Sequence, residues 1–252
     1  METFKELWIK FWKNVWETVK SSFVSLLMYF GVSSIVFMST FSGELSQGMT
    51  GTRAAWVFGG IAVALAYNAF TMFAFGGQGY EMLVSGNLKR RSAQAMGTSM
   101  KISSHKEEKE FRYWRGFVTP WIISLLVVVT GIVFGVNQTT IDTLLLSTNK
   151  EQTISTGLAI LFLALLILGG WSIFPFMYFN LGGMSISYYW SIPLALLPII
   201  FSGVFYIVGA YAARGKAIKK QQQADLASQK AMEKPKKINY GGLPGTKPKK
   251  KK

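Results

Sequence analysis

The chain has 252 residues, half of them hydrophobic and only 15% charged, with 27 Lys and Arg against 12 Asp and Glu for a net charge of +15. A charged fraction well below the roughly 25% of soluble domains points to a membrane protein and excludes a soluble basic enzyme or a disordered polycation. With no Cys, disulfide frameworks, thiolate chemistry and Cys-linked lipid anchors are excluded, and the single His105 leaves little for a histidine triad or zinc site.

Residues 3–20 predict an amphipathic helix. Phe4, Leu7, Trp8, Phe11, Trp12, Val15, Trp16 and Val19 recur at helical spacing, with Lys5, Glu6, Lys10, Lys13, Asn14 and Glu17 opposite them. Thr3 and Glu6 match a capping box that would start it. Indole rings opposed by Lys suit an in-plane helix at the headgroup boundary, so 1–20 is expected to be interfacial. The residues mix three Glu with four Lys, and no cleavable leader is expected there.

A bundle is expected over 21–213. Stretches 22–42, 54–76, 118–137, 154–180 and 185–213 contain no Asp, Glu, Lys, Arg or His, and each is long enough to cross a hydrocarbon core that takes about 20 apolar residues. The fold class is therefore an all-α polytopic membrane protein with five transmembrane helices, or six if 154–213 makes three short passes turning at Gly169-Gly170 and Ser191-Ile192-Pro193. The five-span arrangement is preferred, with the last two spans a hairpin turning at Leu181-Gly182-Gly183.

Orientation follows from the connections. Lys and Arg number four before residue 21 and eight in 77–117, but only Arg53 lies in 43–53 and only Lys150 in 138–153. The N-terminus and the 77–117 connection are thus expected in the cytoplasm. The tail, 214–252, holds 13 Lys and Arg with two acids and should lie there too, yet five spans would leave it outside. Charge and span count thus point to opposite sides for the tail, and both sides stand as expectations. Residues 214–234 favour helix and could extend the last span, whereas from about 235 Pro, Gly and Lys dominate and disorder is expected.

Within the spans, Gly60, Ala64 and Asn68, and separately Ser124, Gly131 and Gly135, form small-residue faces suited to close helix packing inside one molecule. Asn68, Thr71, Asn180 and Ser202 could either bond helices together or line an uncharged polar path. No intramembrane Asp, Glu, Lys or Arg is present, which disfavours a proton-coupled pump.

The 77–117 connection opens with Gly76-Gly77-Gln78-Gly79, read as a hinge or membrane-exit turn. It carries Lys89, Arg90 and Arg91, and closes through Arg112 and Arg115. Glu81 could pair with Arg112 or Arg115 to close the connection; alternatively those arginines contact lipid phosphates or act as snorkelling anchors. The run 104–110 is expected to be a solvated helix face capped by Ser104 and Glu107.

Lys247, Lys249, Lys250, Lys251 and Lys252 end a tail that resembles in composition those of the membrane insertases. The resemblance covers the tail alone, and the insertases' intramembrane positive charge has no counterpart here. It implies ribosomal RNA as a partner, beside anionic lipids or another membrane protein; a Lys run reads phosphate without sequence specificity, and sequence-specific DNA binding is not expected. If the tail lies outside, anionic cell-wall polymers are a further candidate. No Walker, dinucleotide or zincin motif occurs, so no cofactor, metal or catalytic residue is assigned. The expectation is a non-enzymatic accessory or scaffold protein of a bacterial cytoplasmic membrane, binding anionic partners through Lys89, Arg90, Arg91, Arg112, Arg115 and the terminal lysines. The alternative is a small-molecule or ion facilitator.

Overall fold

In a computed structural model the described residues are 3–41, 48–97, 107–146 and 155–233, and every regular element among them is helical. The chain divides into two units, Met1–Arg214 and Gly215–Lys252. Described residues of the second unit are helical and mostly exposed; the terminal lysines and the expected disorder from about 235 lie outside the described residues.

The first helix, α1 (Phe4–Phe41), runs without interruption through the boundary expected near residue 20. The expected separation into an in-plane helix and a span is therefore not a break in the chain. Nothing between Trp16 and Phe23 supplies a breaker; the Thr-Val-Lys-Ser-Ser stretch has no Gly or Pro, so helix continues. At its start the Thr3 backbone N–H donates to Glu6 Oε2 at 3.3 Å, one half of the capping box.

Helix α2 (Gly51–Ala95) is capped by Thr50, whose hydroxyl accepts from the Arg53 N–H at 3.3 Å. It continues straight past Gly76–Gly79 for some 16 further residues, so the exit turn expected there is absent and much of the 77–117 connection is helix. The glycines are contact surface: a Cβ on Gly76 would lie 1.9 Å from the Tyr206 carbonyl oxygen, and one on Gly79 3.3 Å from the Phe111 backbone.

After the turn Glu107–Lys109 come α3 (Arg115–Val118) and, past Pro120, α4 (Trp121–Val136). Short α5 (Gln138–Leu146) precedes α6 (Thr156–Gly169), whose N-terminus is capped by Ser155. A tight turn at Gly170–Ser172 leads to α7 (Phe174–Leu181), set at 96° to α6. The single helix expected over 154–180 is thus two. Gly169 packs its bare Cα against the Thr130 side chain, and Pro175 in the first turn of α7 fits a new helix start. The tight helical turns of Tyr188–Ala195, containing Pro193, then feed α8 (Leu196–Glu233), so the expected extension of the last helix through 214–233 is present.

Four helices are long and apolar enough to cross a membrane, with the bent pair a fifth if counted as one span. Contacts within the first unit fix their directions. Going down α6, Phe162 meets Phe134 near the end of α4, and Gly169 meets Leu126 and Thr130 midway along it. The turn sits against the C-terminal half of α1, where the Trp171 backbone N–H donates to Ser33 Oγ at 3.0 Å and the indole ring lies 5.0 Å from that of Tyr29. Helix α7 then climbs back: Tyr178 lies under Arg53, and Gly182 touches Gly48 just before α2. Both outer ends of the α6–α7 pair therefore lie at the end of the bundle that carries Gly48 and Arg53.

From that end α8 descends in the same sense as α2, with Ser202 beside Asn68 and Gly209 against Phe73. Its Tyr206 ring stacks on Phe111 at 5.2 Å. Phe4, the 77–117 connection and Arg214 consequently share the opposite end. The Leu181–Gly183 turn expected from sequence is present, with Gly183 at φ 87° in the region that favours glycine. It links α7 to the chain entering α8.

The buried core joins Tyr29, Val36, Phe134, Trp171, Phe174, Tyr178 and Tyr188 around the turn between α6 and α7. The small-residue faces serve this packing inside the molecule: Gly60 lies against Val32, Gly131 against Ser191 and Ile192, and Gly135 against the Tyr189 ring. Helices in lipid gain from backbone proximity of this kind because tails offer them no hydrophobic drive to associate.

Candidate functional site

Polar side chains gather at three levels. Midway along the bundle, Asn68 is buried and joins three helices: Ser25 Oγ donates to its Oδ1 at 2.8 Å, and its Nδ2 donates to Ser202 Oγ at 2.7 Å. Thr71 instead turns back on its own helix, donating to the Tyr67 carbonyl at 2.9 Å. Asn180 lies at the far end and clasps the turn after α7, accepting from the Ile186 N–H at 2.7 Å and donating to the Ile186 carbonyl at 2.9 Å. Of the four residues named as a path, the structure thus brings together only Asn68 and Ser202, and uses them as a helix contact.

The end near Gly48 is tied by two charged residues the sequence left without a role. Buried Arg53 donates to the Gly48 carbonyl at 2.9 Å and lies 5.2 Å over the Tyr178 ring. Asp142 accepts from the Tyr188 hydroxyl at 2.7 Å, and Gln138 donates to the Ile186 carbonyl at 3.0 Å. These contacts hold α7 to the start of α2, and α5 to the segment that follows α7.

At the opposite end the acidic run Glu107–Glu110 forms a clasp, where a solvated helix face was expected. Glu107 lies 3.8 Å from Lys10 and Glu108 3.9 Å from Lys13, both on α1. Glu110, 7% exposed, bonds Arg90 of α2, which also approaches Glu107 at 4.0 Å. The Phe111 N–H donates to the Gly79 carbonyl at 2.9 Å, and an Arg115 guanidinium nitrogen donates to the Glu108 carbonyl. Ser104 and His105 lie outside the described residues.

Two expectations change as a result. The proposed Glu81 pair with Arg112 or Arg115 is not formed; Glu81 is exposed and makes no ion pair among the described residues. Arg90, expected to contact an external anion, is engaged by the clasp. Since α2 stays helical, Arg90 falls only about 20° round the axis from Gly79, whereas Glu81 falls about 160° away. The exposed cations here are Lys89, Arg91 and Arg112, with Arg115 half-buried.

The clasp also orients α1. Its Lys10 and Lys13 face the acidic turn, and Trp8, Trp12 and Trp16 stay 53%, 53% and 60% exposed. Among the described residues no three His, Cys, Asp or Glu side chains gather as a metal set. No family model, curated protein or solved structure matches this chain.

Proposed function

We propose that the chain is a non-enzymatic membrane-embedded accessory or scaffold protein that crosses the bilayer four times, with α6–α7 as a re-entrant hairpin, and offers basic surfaces to anionic partners in the cytoplasm. The observation that carries this reading is the shared end of Phe4, the 77–117 connection and Arg214. With α6–α7 entering and leaving on one side, the crossings number four and every Lys-rich segment emerges on one face. That accords with the positive-inside rule and removes the conflict that five spans create for the tail. Helix α6 has 14 residues and α7 has 8, about 21 and 12 Å long, and neither alone spans a core of about 30 Å.

On this arrangement the tail's Lys247 and Lys249 to Lys252 add to the cytoplasmic positive charge of Lys89, Arg91 and Arg112, and each Lys at a membrane surface adds about 1 kcal/mol of attraction to anionic lipid. Ribosomal RNA offers the same phosphate chemistry. The exposed Trp stripe of α1 lies at the headgroup boundary, where indole rings are most at ease. The setting is the cytoplasmic membrane of a bacterium.

A reporter fused after Lys252 tests the arrangement, and a cytoplasmic signal is expected. Full-length protein should then cosediment with ribosomes or anionic vesicles and lose binding steeply as salt rises. An external signal, or binding that ignores salt, refutes the proposal. A facilitator is the second reading, favoured by the backbone break near mid-bundle at Gly169–Trp171, since such breaks occur where protein or a water-lined path surrounds them. Flux in proteoliposomes that Asn68→Ala alters would move the choice to it.

A further inference from the structure

A cavity of about 270 Å³ opens among α1, α2, the 109–119 segment and α8, at the end of the bundle that carries the clasp. Its rim holds Lys20, Lys109 and Arg115 with one carboxylate, Glu17, and its wall includes Val24 and Met72. The carboxylate already faces Lys20 at 3.5 Å, so the rim keeps an excess of two positive charges. Lys109 is half-buried and makes no ion pair among the described residues, because Glu107 and Glu108 beside it turn to Lys10, Arg90 and Lys13. Arg115 spends one nitrogen on the Glu108 carbonyl, leaving the rest of its planar fork. The cations come from separate parts of the chain, and only folding brings them together.

Depth adds a second, independent line. Lys20 immediately precedes the charge-free run of α1, Arg115 precedes that of α4, and the cavity-lining Gln78 and Met82 flank Glu81, which ends that of α2. Three boundaries between charged and apolar sequence thus meet at one cavity, with cations at its mouth and hydrocarbon along its wall. A soluble anion needs only the cations. The apolar wall is matched by a ligand that carries its own alkyl chain.

We propose that this cavity binds one anionic phospholipid of the inner leaflet, with its phosphate among Lys20, Lys109 and Arg115 and the start of an acyl chain against Val24 and Met72. This rests on the assignment of that end of the bundle to the cytoplasmic side and names a fixed site where the tail offers only diffuse attraction. Fork geometry lets Arg115 take two phosphate oxygens, while the two ammonium groups act as point charges.

Native mass spectrometry of the full chain in detergent, with added phosphatidylglycerol, phosphatidylcholine or inorganic phosphate, tests it. One phosphatidylglycerol should stay bound under conditions that strip phosphatidylcholine, and millimolar phosphate should not displace it. Lys109→Gln should weaken retention about tenfold, the scale of one charge-assisted contact, and Lys109→Arg should keep it. Val24→Trp, which fills the wall without touching charge, should weaken it too, and gives a second measure if Lys109→Gln does not purify. Lys249→Gln, Lys250→Gln, Lys251→Gln and Lys252→Gln together should leave retention unchanged. Equal retention in Lys109→Gln and Val24→Trp overturns the site, as does displacement by phosphate alone, which marks a soluble-anion site. If retention follows only the tail substitutions, the cavity is refuted while the general reading survives; loss of cosedimentation with the cavity lipid retained does the reverse.

Discussion

The crossing of α2 and α8 sets the most demanding constraint on the bundle, and Gly209→Ala measures it. A Cβ on Gly209 would lie 2.0 Å from the Phe73 carbonyl oxygen and 2.8 Å from its carbon, and one on Gly76 would lie 1.9 Å from the Tyr206 oxygen. Carbon–oxygen contacts settle at about 3.3 Å, so the two backbones must part by more than about 1 Å. The obstacle is main chain, which has no rotamer by which to yield. Overpacking costs about 1–3 kcal/mol, and a rigid obstacle places Gly209→Ala near 3 kcal/mol. Separation would also pull Ser202 from Asn68, lengthening a bond now at 2.7 Å.

Equilibrium unfolding in mixed micelles gives the number. Gly31→Ala and Gly59→Ala are the controls: a Cβ there meets nothing within 4 Å, so they should be neutral or gain up to about 1 kcal/mol of helix propensity. The double change Gly76→Ala with Gly209→Ala should cost less than the sum of the two, because the first displacement makes room for the second methyl. A Gly209→Ala protein within about 0.5 kcal/mol of the parent would refute the backbone crossing.

Glu110→Ala should destabilise by about 1–2 kcal/mol, since it takes from half-buried Arg90 its closest carboxylate and leaves it only the longer approach to Glu107 and the Asn87 amide, while exchanging the pair as Arg90→Glu with Glu110→Arg recovers a good part; Glu81→Ala should stay within about 0.5 kcal/mol, all read in the same unfolding assay. Asn68→Ala removes two interhelical bonds of roughly 0.6 kcal/mol average and should cost about 1–2 kcal/mol with its lost packing. Asn180→Ala should leave the contact of α2 with α8 intact and instead speed amide exchange at 182–187, where its side chain holds the turn.

The charge-free stretches, the helix beyond 214 and the Gly182-Gly183 turn were legible because composition and local turn chemistry decide them. The bend at Gly169–Ser172 was not: hydropathy records how apolar a segment is, and 154–180 is uniformly apolar whether it crosses or returns. Its direction depends on Ser33 and Thr130, far away in sequence. Glycine misled in the other sense. Gly76, Gly77 and Gly79 look like a turn, yet the absence of a Cβ serves the approach of Tyr206 and Phe111, and helix persists. Once that persistence is known, the phase of α2 selects Arg90 over Glu81, so one missed continuity accounts for the misassigned ion pair.

On the proposed four-crossing arrangement, the return of α6 and α7 to their side of entry bears on how the protein is made. A segment of 14 residues followed by one of 8 is too short for either to settle across lipid as an independent unit. The buried backbone N–H of Trp171 at the bend finds its acceptor on α1, and Gly169 finds its seat on α4. Integration of this hairpin must therefore follow α1 and α4, entering a space that earlier helices have already lined. The order of synthesis matches that need, because both hosts precede the hairpin in the chain, and α8 arrives last to close the bundle against α2 and α3.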